Sequence, residues 1–126
     1  MLTEEQTHLK LCNYLHTNYP DIIFTSDLNG IKLTPGQARK IKNLKSSKGI
    51  PDLIIFEPNK FYFGLLLEIK KEGVKVFKKN GDIIKNEHIQ EQNTMIERLK
   101  QKGFLASFGI GYDDCKNIID MYMVAR

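Results

Sequence analysis

Apolar side chains recur along this sequence in two patterns, one typical of helices and the other of strands. Apolar residues at helical spacing, bounded by start and stop signals, predict helices at about residues 4–16, 34–48, 87–102 and 113–123. Short apolar runs predict strands at 22–24, 52–56, 61–69 and 104–109. The alternation of helices with strands predicts a mixed β-sheet flanked by helices, and hence an α/β fold.

Residues at the segment ends support the first two helices. Thr3 and Gln6 have the spacing of a capping box at the start of the first helix. Thr34 followed by Pro35 is a typical helix start, and Gly49 stops the second helix. Three apolar residues of this second helix are expected to point inward: Ala38, Ile41 and Leu44.

Two turns are predicted between neighbouring strands. Residues 57–60 contain Pro58 and Asn59 and predict a hairpin turn between the strands at 52–56 and 61–69. Asn80-Gly81 lies between two short segments and is a strong signal for a second, small β-hairpin over residues 75–85. The lysines of this hairpin would make a projecting basic ribbon. It is either decoration or a contact with DNA or with a second subunit, and the sequence leaves both open.

The candidate chemistry lies at Asp52 and in Leu67-Glu68-Ile69-Lys70. Successive side chains of a strand point to opposite faces, so Glu68 and Lys70 share a face while Leu67 and Ile69 point into the core. Mg²⁺ takes hard oxygen ligands, usually with one or two carboxylates, which Asp52 and Glu68 supply. A bound metal makes its water more acidic, and the Lys70 ammonium can orient the hydroxide or stabilise charge developing on the phosphate. The pattern favours metal-dependent phosphodiester hydrolysis.

These residues stand in an order that resembles a known nuclease signature. Pro51-Asp52, fifteen intervening residues and Glu68-Ile69-Lys70 resemble the PD-(D/E)xK motif. The wider context resembles the VRR-NUC branch of that superfamily, and it covers nearly the whole chain. The residues that carry this wider resemblance are Thr3-Glu4-Glu5-Gln6, Asn29-Gly30, 48–52, 64–70, Gln92, Met95, Ile96, Leu99, Gly103 and Tyr122.

The resemblance implies both a fold and an activity. The fold would be a restriction-endonuclease-like core with the hairpin at 75–85 added, in one domain over residues 1–126. The activity would be that of a Mg²⁺- or Mn²⁺-dependent DNA endonuclease, acting as a homodimer on branched or otherwise structured DNA in phage replication, recombination or packaging. The family also implies that the Ile69 carbonyl joins Asp52 and Glu68 as a metal ligand.

Two polar positions are expected to assist these groups. Glu4 and Glu5 both lie in the first helical turn, where either could simply complement the helix dipole. Glu4 shares a helix stripe with His8, Leu11 and Leu15 and matches the acid of the family's first helix, so we take Glu4 rather than Glu5 as an additional metal or water ligand. Gln92 lies on a helix face that otherwise points to the core, and we expect it to hydrogen-bond phosphate or Lys70.

Charge is distributed unevenly along the chain. The net charge is only +4, but no acidic residue occurs between Asp27 and Asp52. The lysines of this stretch that we expect to contact DNA phosphates are Lys40, Lys42, Lys45 and Lys48. The alternative is a solvated helix face, which is the commoner reason for a run of charges. The proximity of the stretch to Asp52 favours the DNA contact.

Cysteines, histidines and hydropathy exclude other classes of site. Cys12 and Cys115 are too few and too far apart for a disulfide framework or a zinc site, so buried reduced thiols are expected. The spacing of His8, His16 and His88 gives no metal motif, and helix-surface positions are expected. The apolar runs fall short of the ~20 residues of a membrane span. We therefore expect no signal peptide and a soluble protein. The resemblance to the VRR-NUC branch implies the cytoplasm of an infected bacterial host.

Several residues and two further functions remain open. Asn29 is either a DNA contact or a turn residue. Asp113 and Asp114 are expected to cap the last helix, and Phe61 and Tyr62 are expected in the core or at an interface. A catalytically silent DNA-binding module would keep the basic surface without cleavage. A structural domain unrelated to nucleic acid would instead use Asp52, Glu68 and Lys70 as a surface salt-bridge cluster.

Overall fold

A single four-stranded sheet organises the computed structural model, which describes residues 1–27 and 33–126. The helices are α1 (Glu4–Asn18), α2 (Pro35–Asn43), α3 (Glu87–Gln101) and α4 (Tyr112–Val124), and the strands are β1 (Phe24–Ser26), β2 (Leu53–Ile55), β3 (Leu65–Lys70) and β4 (Leu105–Ile110). The strands lie in the order β1-β2-β3-β4, with antiparallel pairing up to β3 and parallel pairing between β3 and β4. The predicted mixed α/β sheet with flanking helices is confirmed.

Strand β3 is buried on both faces. Leu65, Leu67 and Ile69 pack into a cluster with residues of α1 and α4, whereas Leu66 packs into a second cluster with residues of α3 and β4. Glu68 lies on the same face as Leu66 because side chains alternate along a strand. A charged side chain in this strand is therefore surrounded by protein unless it lies close to the strand end.

Local signals set the helix starts where the sequence predicts them. Thr3 and Gln6 form a complete capping box at α1, and Thr34 and Gln37 form another at α2. α1 then packs on the sheet through one buried stripe, which consists of Thr7, His8, Leu11 and Leu15. Two of these four side chains are polar, and the stripe carries one of them, His8, toward the end of the sheet.

The end and the packing of α2 differ from the prediction. The helix ends at Asn43 instead of continuing to Gly49. None of its residues is buried by the described part of the chain, and Leu44, expected to point inward, is 84% exposed. Ala38, also expected inward, is exposed, and Ile41 is only partly buried. The predicted inward stripe is therefore wrong for Ala38 and Leu44, because periodicity alone does not supply a surface that covers an apolar stripe.

The strand ends differ from the apolar runs because backbone pairing sets them. β1 spans Phe24–Ser26 instead of 22–24, since these residues pair with Leu53–Ile55. β3 begins at Leu65 instead of residue 61, and the connection from β2 is longer than a tight turn. Phe61, 76% exposed, does not join the core, and Tyr62 is also exposed.

The second predicted hairpin is present as a turn rather than as two strands. A single antiparallel bridge joins Phe77 to Ile83, and the Lys78 N–H donates to the Asp82 carbonyl at 2.7 Å. Val76 is 1% exposed and belongs to the second core cluster. This segment is therefore anchored to the domain instead of projecting from it.

Smaller differences concern α4 and the cysteines. Gly111 is the N-cap of α4 with a φ of +83°, so neither aspartate of the first turn is the cap. Asp114 instead accepts the N–H of Ile110 at 2.8 Å. Both cysteines are free thiols, with Cys115 buried and Cys12 only partly buried. Within the described ranges, no helix has the length and apolar character needed to cross a membrane.

Candidate active site

The register of β2 and β3 brings two acids together. Leu53 pairs with Leu67 in antiparallel orientation. Asp52 directly precedes Leu53 and Glu68 directly follows Leu67, so the two carboxyl groups are neighbours at the same end of the sheet. Asp52 is 2% exposed and Glu68 is 4% exposed. Two acids separated by fifteen residues thus become one buried pair.

Asp52 is held from both its side chain and its backbone. Its Oδ2 accepts the N–H of Ile69 at 3.0 Å, and its carbonyl accepts the N–H of Asp27 at 2.7 Å. The N–H and carbonyl of a strand residue point to the same side of the strand. The Ile69 carbonyl therefore points from β3 toward Asp52, as the predicted role of this carbonyl as a metal ligand requires.

Glu68 is positioned by α3 and by its own strand. Its Oε1 accepts a hydrogen bond from Gln92 Nε2 and lies 3.8 Å from Lys70 Nζ. Gln92 Nε2 also lies 3.2 Å from His88 Nε2. Gln92 is thus buried at the site as predicted, but it binds Glu68 rather than Lys70. Glu68 Oε2 is buried and has no hydrogen-bond partner among the described residues.

The proton of Glu68 is held tightly in this environment. Burial, together with the negative charges of Asp52 and Glu4, raises the pKa of Glu68 to about 9 against the opposing effect of Lys70. At neutral pH the folded, metal-free chain therefore keeps Glu68 protonated. A cation can replace that proton, because metal binding requires the carboxylate form.

Glu4 and His8 approach Asp52 from α1. Ligand atoms of Glu4, His8 and Asp52 all lie within 4.8 Å of one another, and His8 Nε2 lies 3.9 Å from Asp52 Oδ2. Glu5 is exposed, so Glu4 is the acid of α1 at the site. His8 is 6% exposed, and the predicted helix-surface position of His8 is wrong. The helix stripe that His8 shares with Glu4, Leu11 and Leu15 already indicated an inward position for His8.

Three of the four lysines predicted to contact DNA are exposed, and the fourth forms an ion pair within the protein. Lys40, Lys42 and Lys48 are exposed. Lys45 is partly buried and forms an ion pair with Asp27, so its charge is already compensated. Lys45, Asp27 and Asp52 line one cleft.

The other two histidines, His16 and His88, are exposed as predicted. Asn29 lies outside the described residues.

Comparisons with known proteins identify the fold. No protein-family profile and no curated protein matches this sequence. Among solved structures, a chain described as a "VRR_NUC domain protein" matches with a TM-score of 0.67 and 26% sequence identity, over 99% of this chain and 91% of the other. The fold is thus α/β and restriction-endonuclease-like. More specifically, it is that of a VRR-NUC domain, a nuclease family, and the resemblance carried by the motifs is confirmed.

The proton on Glu68 predicts a pH dependence of stability. Between the pKa of about 4.3 in the unfolded chain and the value of about 9 in the folded chain, only the folded state holds this proton. The contribution of Glu68 to stability is complete below the lower value and is lost progressively as pH rises, by up to about 1.4 kcal/mol per pH unit. Glu68→Gln resembles the protonated form but has no proton to lose.

We therefore expect the advantage of Glu68→Gln over the unmodified protein in unfolding free energy to grow from pH 5 to pH 9. Urea unfolding in chelator, followed by circular dichroism, measures this difference. The exposed Glu97→Gln is the control and should follow the unmodified protein. Parallel pH profiles for Glu68→Gln and the unmodified protein would contradict the assignment of the proton to Glu68.

Proposed function

We propose that this protein is a divalent-metal-dependent DNA endonuclease that hydrolyses phosphodiester bonds, with residues 1–126 as one nuclease domain. The observation that carries the proposal is the buried pair Asp52 and Glu68, with Lys70 Nζ 3.8 Å from Glu68 Oε1. Carboxyl groups are costly to bury without a compensating cation. In a nuclease fold such buried acids have a function, because metal-dependent phosphodiester hydrolysis needs acidic oxygens at a fixed position to bind the ion.

The donor atoms at the site suit a hard divalent cation. The carboxylates of Asp52 and Glu68 and the Ile69 carbonyl are oxygen donors of the kind that Mg²⁺ or Mn²⁺ takes. Glu4 adds a further carboxylate that can hold the ion or one of its waters. Glu68 Oε2 has no partner among the described groups and is available as a ligand. When bound, such an ion polarises the phosphodiester and increases the acidity of a coordinated water.

Lys70 and Gln92 act beside the carboxylates. The Lys70 side chain is 13% exposed, so its ammonium lies close to the surface end of the site, where a phosphate can approach. There it orients the attacking water or stabilises the charge that develops on the phosphate oxygens. Gln92 is a positioning residue, because its hydrogen bond to Oε1 fixes the Glu68 carboxyl and leaves Oε2 for the ion.

Substrate and assembly are proposed from the family resemblance. VRR-NUC similarity favours branched or otherwise structured DNA, a homodimer, and a role in phage replication or recombination in the cytoplasm of an infected host. The exposed Lys40, Lys42 and Lys48 supply positive charge for phosphate contacts. Lys45 contributes only if DNA displaces its ion pair with Asp27.

Two other functions fit the site less well. A catalytically silent DNA-binding module would have no need for Asp52, Glu68 and Lys70 together, and all three are present. A structural domain would use them as a surface salt-bridge cluster, but the two acids are almost fully buried. Surface ion pairs of that kind contribute little to stability.

Asp52→Asn should abolish cleavage while preserving the fold and most of the DNA affinity. The substitution removes one ligand charge, whereas phosphate contacts made by the basic surface do not require the ion. We expect the cleavage rate to fall by about 10²-fold or more. The measurement is cleavage of linear, flapped, nicked and four-way-junction DNA with Mg²⁺, Mn²⁺ or chelator. Asp113→Asn, an exposed control, should cleave normally, and metal-dependent cutting by pure Asp52→Asn would refute the assignment.

Lys70→Ala should slow cleavage without weakening metal binding. Removal of a positive charge beside a cation site leaves metal affinity unchanged or higher, but the rate constant should fall by about 10²–10⁴-fold. Lys70→Arg should rescue only in part, because a planar guanidinium does not replace a compact ammonium. Single-turnover cleavage against metal concentration tests both variants, with the exposed neighbour Lys71→Ala as control. A normal rate for Lys70→Ala at saturating metal would show that Lys70 has no role in the reaction.

Reversal of two charges on α2 tests the DNA-binding face. The double variant Lys40→Glu, Lys42→Glu should weaken binding to all DNA sequences equally and reduce the slope of log affinity against log salt by about 0.9 per lost phosphate contact. The control double variant, Lys60→Glu with Lys102→Glu, changes the same charge at the opposite end of the sheet and should have a smaller effect. Equal effects of the two double variants would place the DNA elsewhere.

A further inference from the structure

His8 has one ring nitrogen in use and one that is buried without a partner. Nδ1 lies 3.0 Å from Ser26 Oγ. Nε2 has no hydrogen-bond partner among the described residues, although the side chain is only 8% exposed. An unpartnered buried polar atom is costly, and in a native structure it commonly marks an ion or a catalytic role. This nitrogen points at Asp52, with 3.9 Å between Nε2 and Oδ2.

The Ser26 hydroxyl can hold His8 in the tautomer that binds a metal through Nε2. A hydroxyl accepts as well as donates, so Ser26 Oγ can accept the N–H of His8 Nδ1. Neutral imidazole then carries its lone pair on Nε2. Metal-binding histidines in proteins are commonly oriented in this way, by a hydrogen bond from their other ring nitrogen.

The distance between His8 Nε2 and Asp52 Oδ2 is close to the separation of two donor atoms bound to one metal ion. Ligand bonds of about 2.0–2.2 Å place two neighbouring donor atoms about 3–3.5 Å apart. The observed 3.9 Å therefore needs only a small movement of one side chain. Glu4 offers a third donor atom within 4.8 Å of the other two. The three groups come from α1 and from the residue that precedes β2, and residues of α1 and β2 belong to the same core cluster.

We infer that His8 Nε2 is a ligand of the ion held by Asp52, and that it gives the site a preference for first-row transition-metal ions over Mg²⁺. The inference rests on the proposed metal-dependent function and deepens it. Imidazole nitrogen binds ions such as Co²⁺, Ni²⁺ and Zn²⁺ well, whereas Mg²⁺ favours oxygen donors and its own waters. Among the candidate donors at this site, His8 is the group that distinguishes the two kinds of ion.

Metal titration of the full, metal-free chain tests the preference without a cleavage assay. Calorimetry with Co²⁺, Mn²⁺ and Mg²⁺ should give an affinity for Co²⁺ about tenfold or more above that for Mg²⁺. His8→Ala should lower the Co²⁺ affinity by about tenfold and change the Mg²⁺ affinity much less. His8→Asp, which supplies oxygen in place of nitrogen, should shift the preference toward Mg²⁺. His16→Ala, an exposed histidine of the same helix, is the control and should retain the affinities of the unmodified protein.

A second measurement uses the unmodified protein and so does not depend on the folding of a variant. Long-range ¹H–¹⁵N spectra of the histidine side chains, recorded with and without Zn²⁺, should show a metal-induced shift of His8 Nε2 while Nδ1 stays protonated. Unchanged His8 resonances at saturating Zn²⁺, or an unchanged ratio of Co²⁺ to Mg²⁺ affinity in folded His8→Ala, would overturn the inference. If the unmodified protein binds and cleaves with metal in that case, only the role of His8 is lost. If it neither binds metal nor cleaves, the proposed function falls with it.

Discussion

The antiparallel pairing of β2 with β3 is the constraint on which the candidate site depends. Leu53 opposite Leu67 places Asp52 beside Glu68, and a slip of one residue would turn one of the two acids to the other face. The Asp52 carboxylate accepts the N–H of Ile69 and so continues the contact between the two strands past the last paired residues. The Asp52 side chain thus extends the hydrogen bonding between β2 and β3 and also contributes to the site. The position of the two acids is therefore set by the pairing of these strands.

The buried position that suits these acids to bind a metal ion also makes their negative charge costly in the metal-free fold. Their neighbourhood raises the pKa of Glu68 to about 9, so the metal-free fold is relieved of one negative charge by a proton. A divalent cation would relieve it in the same way and would bind only at the expense of that proton. The helices on either side of the sheet position the other side chains of the site. α1 brings Glu4 and His8 close to Asp52, and α3 brings Gln92 to Glu68. Each helix is anchored by its own apolar stripe, so the site is held by the core on two sides.

The basic helix α2 differs in kind from the helices that hold the acids. Its residues are not buried by the described part of the chain, and Leu44 beyond its end is exposed. Its lysines can therefore adjust to a charged partner without disturbing the sheet. This division fits a nuclease, since ligands for an ion must be fixed within a fraction of an ångström, whereas phosphate contacts tolerate movement.

The sequence by itself determined the element types, the capping boxes at Thr3 and Thr34, the pairing of Glu68 with Lys70 on one strand face, and the resemblance to VRR-NUC domains. These features depend on spacing along the chain, which period and motif record directly. Only the tertiary structure decided that the described part of the chain leaves Leu44 exposed, that Lys45 is paired with Asp27, and that Gln92 binds Glu68. It also decided that His8 lies beside Asp52, because the helix stripe that contains His8 does not specify which distant segment packs against it.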